Sequence, residues 1–219
     1  MGKCELPEIL AAYRCDASAC TLCHNLGLLH QGLDGQPAPA LFHKEATGRS
    51  GVLFVFEAPN LTDTYDPDKG RMTCDPSTDP TGRFIFELLA HVHLRPEEVV
   101  FTNAVLCLPA ERNGKYPVRA QQRKACSPWL ARLINDLDPR VVVTCGAAAL
   151  SAIKNIAPHG LRLRDNAGKV CPWNGRLLLP LYHPSVLGQL SRPREQQLAD
   201  IEALRPVHCN SGVGTGGLP

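Results

Sequence analysis

The sequence predicts an α/β protein of three layers (α/β/α), in which helices cover both faces of a central, mostly parallel four-stranded sheet. Apolar segments of strand length begin at Val52, Val99 and Val141, and each is followed by a segment with helical spacing. This alternation of strand and helix is typical of a parallel sheet that is buried on both faces. A fourth strand is expected near residues 176–182, ahead of the last helical segment.

The first half of the chain contains a short helix, one strand and a long loop. The helix is predicted over about residues 7–13, and a glycine- and proline-rich segment follows it. The strand from Val52 ends at Pro59, and residues 60–82 are polar and form a loop. Loops of this length inside a domain are usually functional. Helical spacing then resumes, with Phe84 on the apolar face.

The second half repeats the pattern with shorter connections. A helix is predicted from Pro117, and Ser127–Pro128 predicts a kink or break in it because proline lacks the backbone N–H. Residues 161–173 are expected to form a hairpin-like return before the last strand. One domain is therefore predicted over residues 1–206, and the glycine-rich residues 207–219 are predicted to be a disordered tail.

Composition excludes several classes of protein. The formal net charge is +2, from 23 basic and 21 acidic residues, so any affinity for nucleic acid must come from local patches. The sequence has no apolar run long enough to span a membrane. Its first residues lack a basic stretch followed by a long apolar one, so we expect no secretory signal. We expect a cytoplasmic monomer that does not bind membranes.

The 10 cysteines point to a metal site or to catalysis, since cytosolic thiols are kept reduced. Cys20 and Cys23 form a Cys-x-x-Cys pair. Cys107 at a strand end and Cys126 in the next helix would complete a four-thiolate site, which suits zinc or an iron–sulfur cluster. Two alternatives stay open. Cys107 and Cys126 are simply buried thiols that pack in the core, or Cys15 takes the place of one of the four ligands.

Polar residues stand at the ends of three predicted strands. Glu57, Asn103 and His183 would share one edge of the sheet, which is where ligands bind in such folds. The side-chain amide of Asn103 offers a donor and an acceptor side by side, and these complement the N3–H and O4 of a uracil ring. Each residue also has a purely structural interpretation. Glu57 could be an exposed carboxylate at the sheet edge, Asn103 an amide that bonds the backbone of a loop, and His183 a histidine that only packs.

Six segments, ACTLC, FVFEAPN, FTNAVLCLP, ACSPWL, VVVTCGAAAL and LYHPS, together resemble the uracil-DNA glycosylase superfamily over roughly residues 15–200. The nearest branch is the iron–sulfur-containing family four. The resemblance implies a monofunctional DNA glycosylase that flips uracil out of single- or double-stranded DNA. It would hydrolyse the N-glycosidic bond and leave an abasic site for base excision repair. It also implies a 4Fe–4S cluster, in preference to zinc, on Cys20, Cys23, Cys107 and Cys126.

The resemblance assigns roles to matching positions. Glu57 or Asp63 would position the attacking water, His183 would stabilise charge on the departing uracil, and Asn103 would read the edge of the flipped base. Further residues near these motifs are candidates for contacts with the base or the minor groove: Ala58, Asn60, Tyr65, Met72, Phe84, Pro184 and Ser185. The basic residues expected to hold the DNA backbone are Arg119, Arg123, Lys124, Arg192 and Arg194.

The sequence departs from the family pattern around the base pocket. Phe56 and Asn60 stand where the family has glycine, and Thr73 stands where it has the phenylalanine that stacks on uracil. The stacking face must then come from Tyr65, Met72 or Phe84. Two alternative functions follow: a relative with the same fold and an altered base preference, or a catalytically inactive DNA-binding protein with a structural metal site.

Overall fold

The structure, a computed structural model, describes residues 6–23, 28, 50–59, 77 and 79–208. Four of the candidate site residues lie outside this part of the chain: Asn60, Asp63, Tyr65 and Met72. The proposed tail lies outside it from residue 209 onward, whereas the last helix reaches His208, two residues beyond the predicted end of the domain.

The central sheet has five strands rather than the predicted four. Its spatial order is β2-β1-β3-β5-β4. The strands are β1 (Val52–Phe56), β2 (Val100–Asn103), β3 (Val141–Cys145), β4 (Cys171–Trp173) and β5 (Arg176–Leu181). The first three strands and β5 run parallel, and only β4 pairs antiparallel to its neighbour within the described sheet.

The additional strand is the hairpin-like return that the sequence predicts. Asn174 and Gly175 connect β4 to β5, and both have positive φ angles, of 46° and 74°. Asn-Gly is the favoured pair for a two-residue hairpin turn because both central residues must take positive φ. The return therefore pairs with β5 and widens the sheet at one edge.

Helices cover both faces of the sheet. They are α1 (Leu6–Ser18), α2 (Pro80–His91), α3 (Ala120–Leu137), α4 (Ala147–Lys154), α5 (Leu163–Asn166), α6 (Val186–Ser191), α7 (Arg194–Ile201) and α8 (Arg205–His208). One apolar core lies between the sheet and helices α1, α3 and α4. The other lies between the sheet and helices α2 and α7. The predicted three-layer architecture is confirmed.

Alternate side chains of each central strand enter opposite cores. In β1, Leu53 and Val55 pack with α1, α3 and α4, while Phe54 and Phe56 pack with α2 and α7. All five residues of β1 are buried. This is why the strands read as continuous apolar runs and not as alternating ones.

Helix α3 continues through Pro128, so the predicted break is absent. A proline in a helix leaves the carbonyl four residues earlier without its N–H donor. Here that carbonyl belongs to Lys124, and the Ser127 hydroxyl donates to it at 2.8 Å. The serine therefore replaces the missing hydrogen bond, and the helix runs on to Leu137.

The parallel strands end level with one another. Phe56 lies beside Asn103, and Cys145 lies beside Leu181. The segments that follow β1, β2, β3 and β5 therefore meet at one edge of the sheet, where α/β proteins bind ligands. None of the described helices combines the length and the apolar character needed to cross a bilayer.

Candidate active site and thiol cluster

The carboxyl edge of the sheet places Asn103 and His183 next to the same residue, Phe56. Asn103 is fully buried beside Phe56 in the adjacent strand. His183 follows β5, and its ring meets the ring of Phe56 edge to face, with centroids 5.8 Å apart. Both predicted residues therefore neighbour Phe56, the residue that replaces a glycine of the family pattern.

His183 is held as a neutral imidazole. The backbone N–H of Ser185 donates to its Nδ1 at 3.2 Å, so Nδ1 carries no proton and the proton of the neutral ring lies on Nε2. Burial lowers the pKa of His183 to about 4, and the carboxylate of Asp79 partly offsets that shift. At neutral pH the ring can donate one hydrogen bond from Nε2.

Glu57 is the first residue after β1 and is half-buried. Burial raises its pKa, and the guanidinium of Arg123 on α3 opposes that shift. Its carbonyl accepts the backbone N–H of Val105 at 3.0 Å, which joins it to the segment that leads to Cys107. A partly desolvated carboxylate at this edge suits the binding and orientation of a water molecule.

Asp79 is a site residue that the sequence analysis did not single out. It caps α2: its carboxylate accepts the backbone N–H of Thr81 at 2.9 Å and that of Gly82 at 3.3 Å. Its charge acts on His183, so the start of α2 lies near the same edge. The signal was present in the sequence, since Asp-Pro-Thr is a typical helix start.

Helix α6 presents exposed apolar residues directly after the His-Pro-Ser segment. Pro184 is buried, and the Ser185 hydroxyl caps α6 by accepting the N–H of Gly188 at 3.2 Å. Three large apolar residues on this helix are exposed: Val186 (62%), Leu187 (76%) and Leu190 (78%). The sequence analysis did not single out these residues, although apolar residues directly after the His-Pro-Ser segment were a visible signal.

Phe84 does not offer a free stacking face. It is only 2% exposed, and the guanidinium of Arg194 lies 4.9 Å from its ring centroid. Arg194 also pairs with Glu87. Of the three stacking candidates, Tyr65 and Met72 lie outside the described residues, so the described part of the chain supplies no open face at Phe84.

The predicted DNA-contacting cations fall into two groups. Arg119 and Lys124, at the start of α3, are exposed. Arg192 instead makes a two-pronged ion pair with the buried Asp200, at 2.9 and 2.6 Å, and lies against the ring of Tyr182. Its pairing points to a structural role in holding α7, and Arg119 and Lys124 are the cations that remain open to phosphates.

The four predicted cysteines come together between α1, α3 and the segment after β2. Burial raises the pKa of Cys107, and the other three thiols, Cys20, Cys23 and Cys126, raise it further. Burial also raises the pKa of Cys126 to about 11. The indole N–H of Trp129 donates to the Cys20 sulfur at 3.2 Å. The rival ligand Cys15 is exposed on α1 and does not belong to this thiol cluster.

The thiol cluster differs from a ready-made site for one ion. No three His, Cys, Asp or Glu side chains in the described ranges converge closely enough to hold a metal ion. A single zinc with bonds near 2.3 Å would need its four sulfurs about 3.8 Å apart. Within the described residues the four thiols are grouped without forming such a metal-binding arrangement.

A sequence model of the uracil DNA glycosylase superfamily matches residues 43–204, which is most of the chain. The match spans every strand of the sheet and the edge that carries Glu57, Asn103 and His183. The chain belongs to the uracil DNA glycosylase superfamily. The predicted resemblance and its fold are therefore confirmed.

Curated relatives agree with this membership. The chain is 25% identical to a type-4 uracil-DNA glycosylase of Archaeoglobus fulgidus, over 71% of this chain and 76% of the relative. It is 29% identical to one of Thermotoga maritima, over 69% of this chain and 74% of the relative. It is also 29% identical to one of Pyrobaculum aerophilum, over 65% and 70%. Membership of this superfamily and these relatives support uracil excision in DNA repair.

Proposed function

We propose that this superfamily member is a monofunctional uracil-DNA glycosylase, which hydrolyses the bond between uracil and deoxyribose and leaves an abasic site. The observation that carries the proposal is the pairing of a buried amide, Asn103, with a neutral imidazole, His183, on one aromatic residue at the carboxyl edge of the sheet. A binding protein without catalysis has no need for a carboxylate, Glu57, at the same edge as this amide and this imidazole.

The first step is extrusion of the base from its helix. The glycosidic bond of a stacked base is inaccessible, so the enzyme must flip the nucleotide, at a cost of a few kcal/mol. A uracil paired with guanine flips more readily than a correctly paired base. The exposed Leu187 and Leu190 of α6 suit insertion between base steps, as apolar wedges do in other DNA-bending proteins.

Asn103 reads the flipped base in this proposal. Its amide would accept from N3–H of uracil and donate to O4. The residue is fully buried, so a base lacking this edge would leave hydrogen-bonding groups unmatched in a dry environment, at about 1–3 kcal/mol. Discrimination against bases with another edge follows from that cost.

Bond cleavage leaves negative charge on the uracil and positive charge on the sugar. His183 would donate its Nε2–H to uracil O2 and stabilise the departing anion, without giving up the proton. A preorganised donor of this kind contributes about 3–4 kcal/mol to the transition state. Glu57 would hold the attacking water and face the positive sugar, and Asp79 would add negative charge nearby.

The four cysteines of the thiol cluster fit a 4Fe–4S group, which the protein would hold through Cys20, Cys23, Cys107 and Cys126. The donor set is four thiols, the usual ligands of such clusters, and three of the four are buried. When bound, the cluster would act as a structural crosslink. The cysteines lie on α3, on the segment after α1 and on the segment after β2, and the segment after β2 donates a backbone hydrogen bond to Glu57.

The test is cleavage of synthetic DNA by the purified protein. Oligonucleotides that carry one uracil, single-stranded or opposite guanine or adenine, are incubated with the enzyme and then treated with alkali to cut at abasic sites. We expect cutting at uracil in the wild type and strongly reduced cutting in Asn103→Ala and His183→Ala.

Hypoxanthine and xanthine oligonucleotides separate the alternatives. Cutting at these bases but not at uracil would favour an altered base preference. If none of the three substrates is cut while the protein still binds DNA, the catalytic proposal is wrong and the inactive DNA-binding alternative stands.

A further inference from the structure

His183 is enclosed by two glycine residues from different parts of the chain. Gly146, after β3, has a φ of 97°, and a Cβ there would lie 3.3 Å from the Cβ of His183. Gly188 in α6 is closer: a Cβ there would lie 1.8 Å from the carbonyl oxygen of His183 and 2.9 Å from its carbonyl carbon. Side chains essentially never approach backbone atoms below 3.0 Å, so α6 can occupy this place only with glycine at position 188.

Hydrogen bonds tie the same helix to the histidine. The N–H of Gly188 donates to the Ser185 hydroxyl at 3.2 Å, and the N–H of Ser185 donates to His183 Nδ1 at 3.2 Å. The Gln189 side chain donates to the carbonyl of Pro184 at 3.3 Å. The position of α6 is therefore linked to the backbone of His183 and to its ring tautomer.

We propose that Gly188 is a positioning residue for His183, because its lack of a side chain lets α6 lie against the His183 carbonyl and so sets the place of the imidazole. This inference rests on the proposed function, in which the imidazole donates to uracil O2. Adding a methyl group at position 188 must separate α6 from His183. A shift of about 1 Å at a reacting group can cost about 10²-fold in rate.

The contact also connects binding to chemistry. The exposed Leu187 and Leu190 flank Gly188 on α6, and they are the residues proposed to enter the DNA. A helix that touches DNA with one side and the backbone of His183 with another would hold the histidine in register with the flipped base. Gly188 is the residue of α6 that contacts the His183 backbone, between the two leucine residues proposed to contact DNA.

The decisive experiment compares Gly188→Ala with Gly160→Ala. Gly160 is an exposed loop residue where a Cβ would meet nothing within 4 Å, so it is a matched control. Single-turnover cleavage of a uracil oligonucleotide should fall by about 10²-fold in the first variant and stay at the wild-type rate in the second. Cleavage by Gly188→Ala at the wild-type rate would overturn the proposal.

A double variant shows whether Gly188 acts through His183. Residues that act through one group have non-additive effects. In a His183→Ala background, the Gly188→Ala change should therefore cause no further loss of rate. If it slows the His183→Ala enzyme by the same factor as it slows the wild type, Gly188 acts elsewhere and the proposal is wrong.

Imidazole nitrogen spectra give a readout that does not depend on activity. In protein with ¹⁵N-labelled histidine, the His183 signals, assigned by their loss in His183→Ala, should show a neutral ring with the proton on Nε2. These signals should shift in Gly188→Ala and stay in place in Gly160→Ala. If the wild type fails to cleave uracil, the proposed function is wrong, whereas unchanged signals in Gly188→Ala overturn the positioning role.

Gln189→Ala provides a second test in case Gly188→Ala does not fold. It removes the bond to the Pro184 carbonyl without adding atoms, so it loosens α6 with less disturbance. It should shift the His183 signals and slow cleavage, by a smaller factor, only when His183 is present. Unchanged signals together with an unchanged rate would contradict the coupling of α6 to the histidine.

Discussion

At the scale of single residues, the chemistry depends on two buried groups with opposite requirements. His183 must stay neutral so that it can donate one hydrogen bond, and burial lowers its pKa to about 4. Glu57 must stay ionised to orient water, although burial raises its pKa. Burial at the edge of the sheet favours the neutral form of both groups, which suits His183 and works against Glu57. Protonation of Glu57 is therefore the event that should limit activity in acid.

The pH profile of cleavage tests this assignment. As pH falls, Glu57 takes up a proton at a pKa above the value of about 4.3 of an exposed glutamate, and the rate should fall with it. His183 changes charge only near pH 4, so it should not contribute to the profile above that pH. Single-turnover rates from neutral to acid pH should show one acid limb in the wild type and a flat, slow profile in Glu57→Gln. An acid limb that persists unchanged in Glu57→Gln would contradict the role of Glu57.

At the scale of elements, α3 connects the DNA-facing surface, the thiol cluster and the carboxylate. Arg123 on this helix partly offsets the rise in the pKa of Glu57 that burial causes, and Cys126 lies one turn further along the helix. Lys124 lies next to Arg123 and is exposed. Neighbouring cations on one helix thus differ in role, since one acts on Glu57 and the other is open to solvent.

Neutralising Arg123 should move the acid limb of the pH profile. In Arg123→Met the carboxyl group of Glu57 loses its favourable neighbour, so its pKa rises and the limb should move to higher pH. Lys124→Met removes the same charge one residue away and should weaken DNA binding while leaving the limb in place. Identical limbs in the wild type and Arg123→Met would exclude the electrostatic link.

The same helix allows a test of how it passes Pro128. The Ser127 hydroxyl bonds the Lys124 carbonyl that proline leaves unpaired. Ser127→Ala should therefore lower the free energy of unfolding by about 1 kcal/mol, seen as a lower thermal midpoint. In a Pro128→Ala background the new N–H of residue 128 bonds that carbonyl, so Ser127→Ala should cost much less. Equal losses in both backgrounds would show that the hydroxyl does not replace the missing bond.

At the scale of the whole molecule, the cysteines connect distant parts of the chain. Cys20 and Cys23 follow α1, Cys107 follows β2, and Cys126 lies in α3. The segment after β2 also donates backbone N–H groups to Phe56 at 2.8 Å and to Glu57 at 3.0 Å. A group held by the thiol cluster would therefore stabilise the segment on which the end of β1 rests.

Cysteine substitutions distinguish a ligand from a bystander. In anaerobically purified protein, Cys107→Ser should lose iron, lose absorbance near 400 nm and yield less soluble protein. Cys15→Ser should keep all three, because this exposed thiol lies apart from the thiol cluster. Zinc without iron in the wild type would exclude the 4Fe–4S group, and loss of iron in Cys15→Ser would reassign a ligand.

The layers and the carboxyl edge could be predicted from the sequence, because apolar runs and their polar ends are local patterns. The choice of the four cysteines came from the family resemblance, because their spacing alone left Cys15 as a rival ligand. The unbroken α3 could not be predicted, since the pairing of Ser127 with Lys124 depends on a side-chain rotamer. Burial of Phe84 under Arg194 was also not predictable, because the two lie on different helices and meet only in the fold. The role of Asp79 depends equally on the distance between α2 and the end of β5.

Binding of the product uracil tests the central claim most directly. Free uracil is titrated into the enzyme bound to abasic DNA, and the side-chain amide of Asn103 and the ring nitrogens of His183 are followed by NMR. If Asn103 and His183 bind the same uracil molecule, their signals move together and saturate at the same uracil concentration. Signals that stay in place, or that saturate at different concentrations, would mean that the two residues do not share a uracil site.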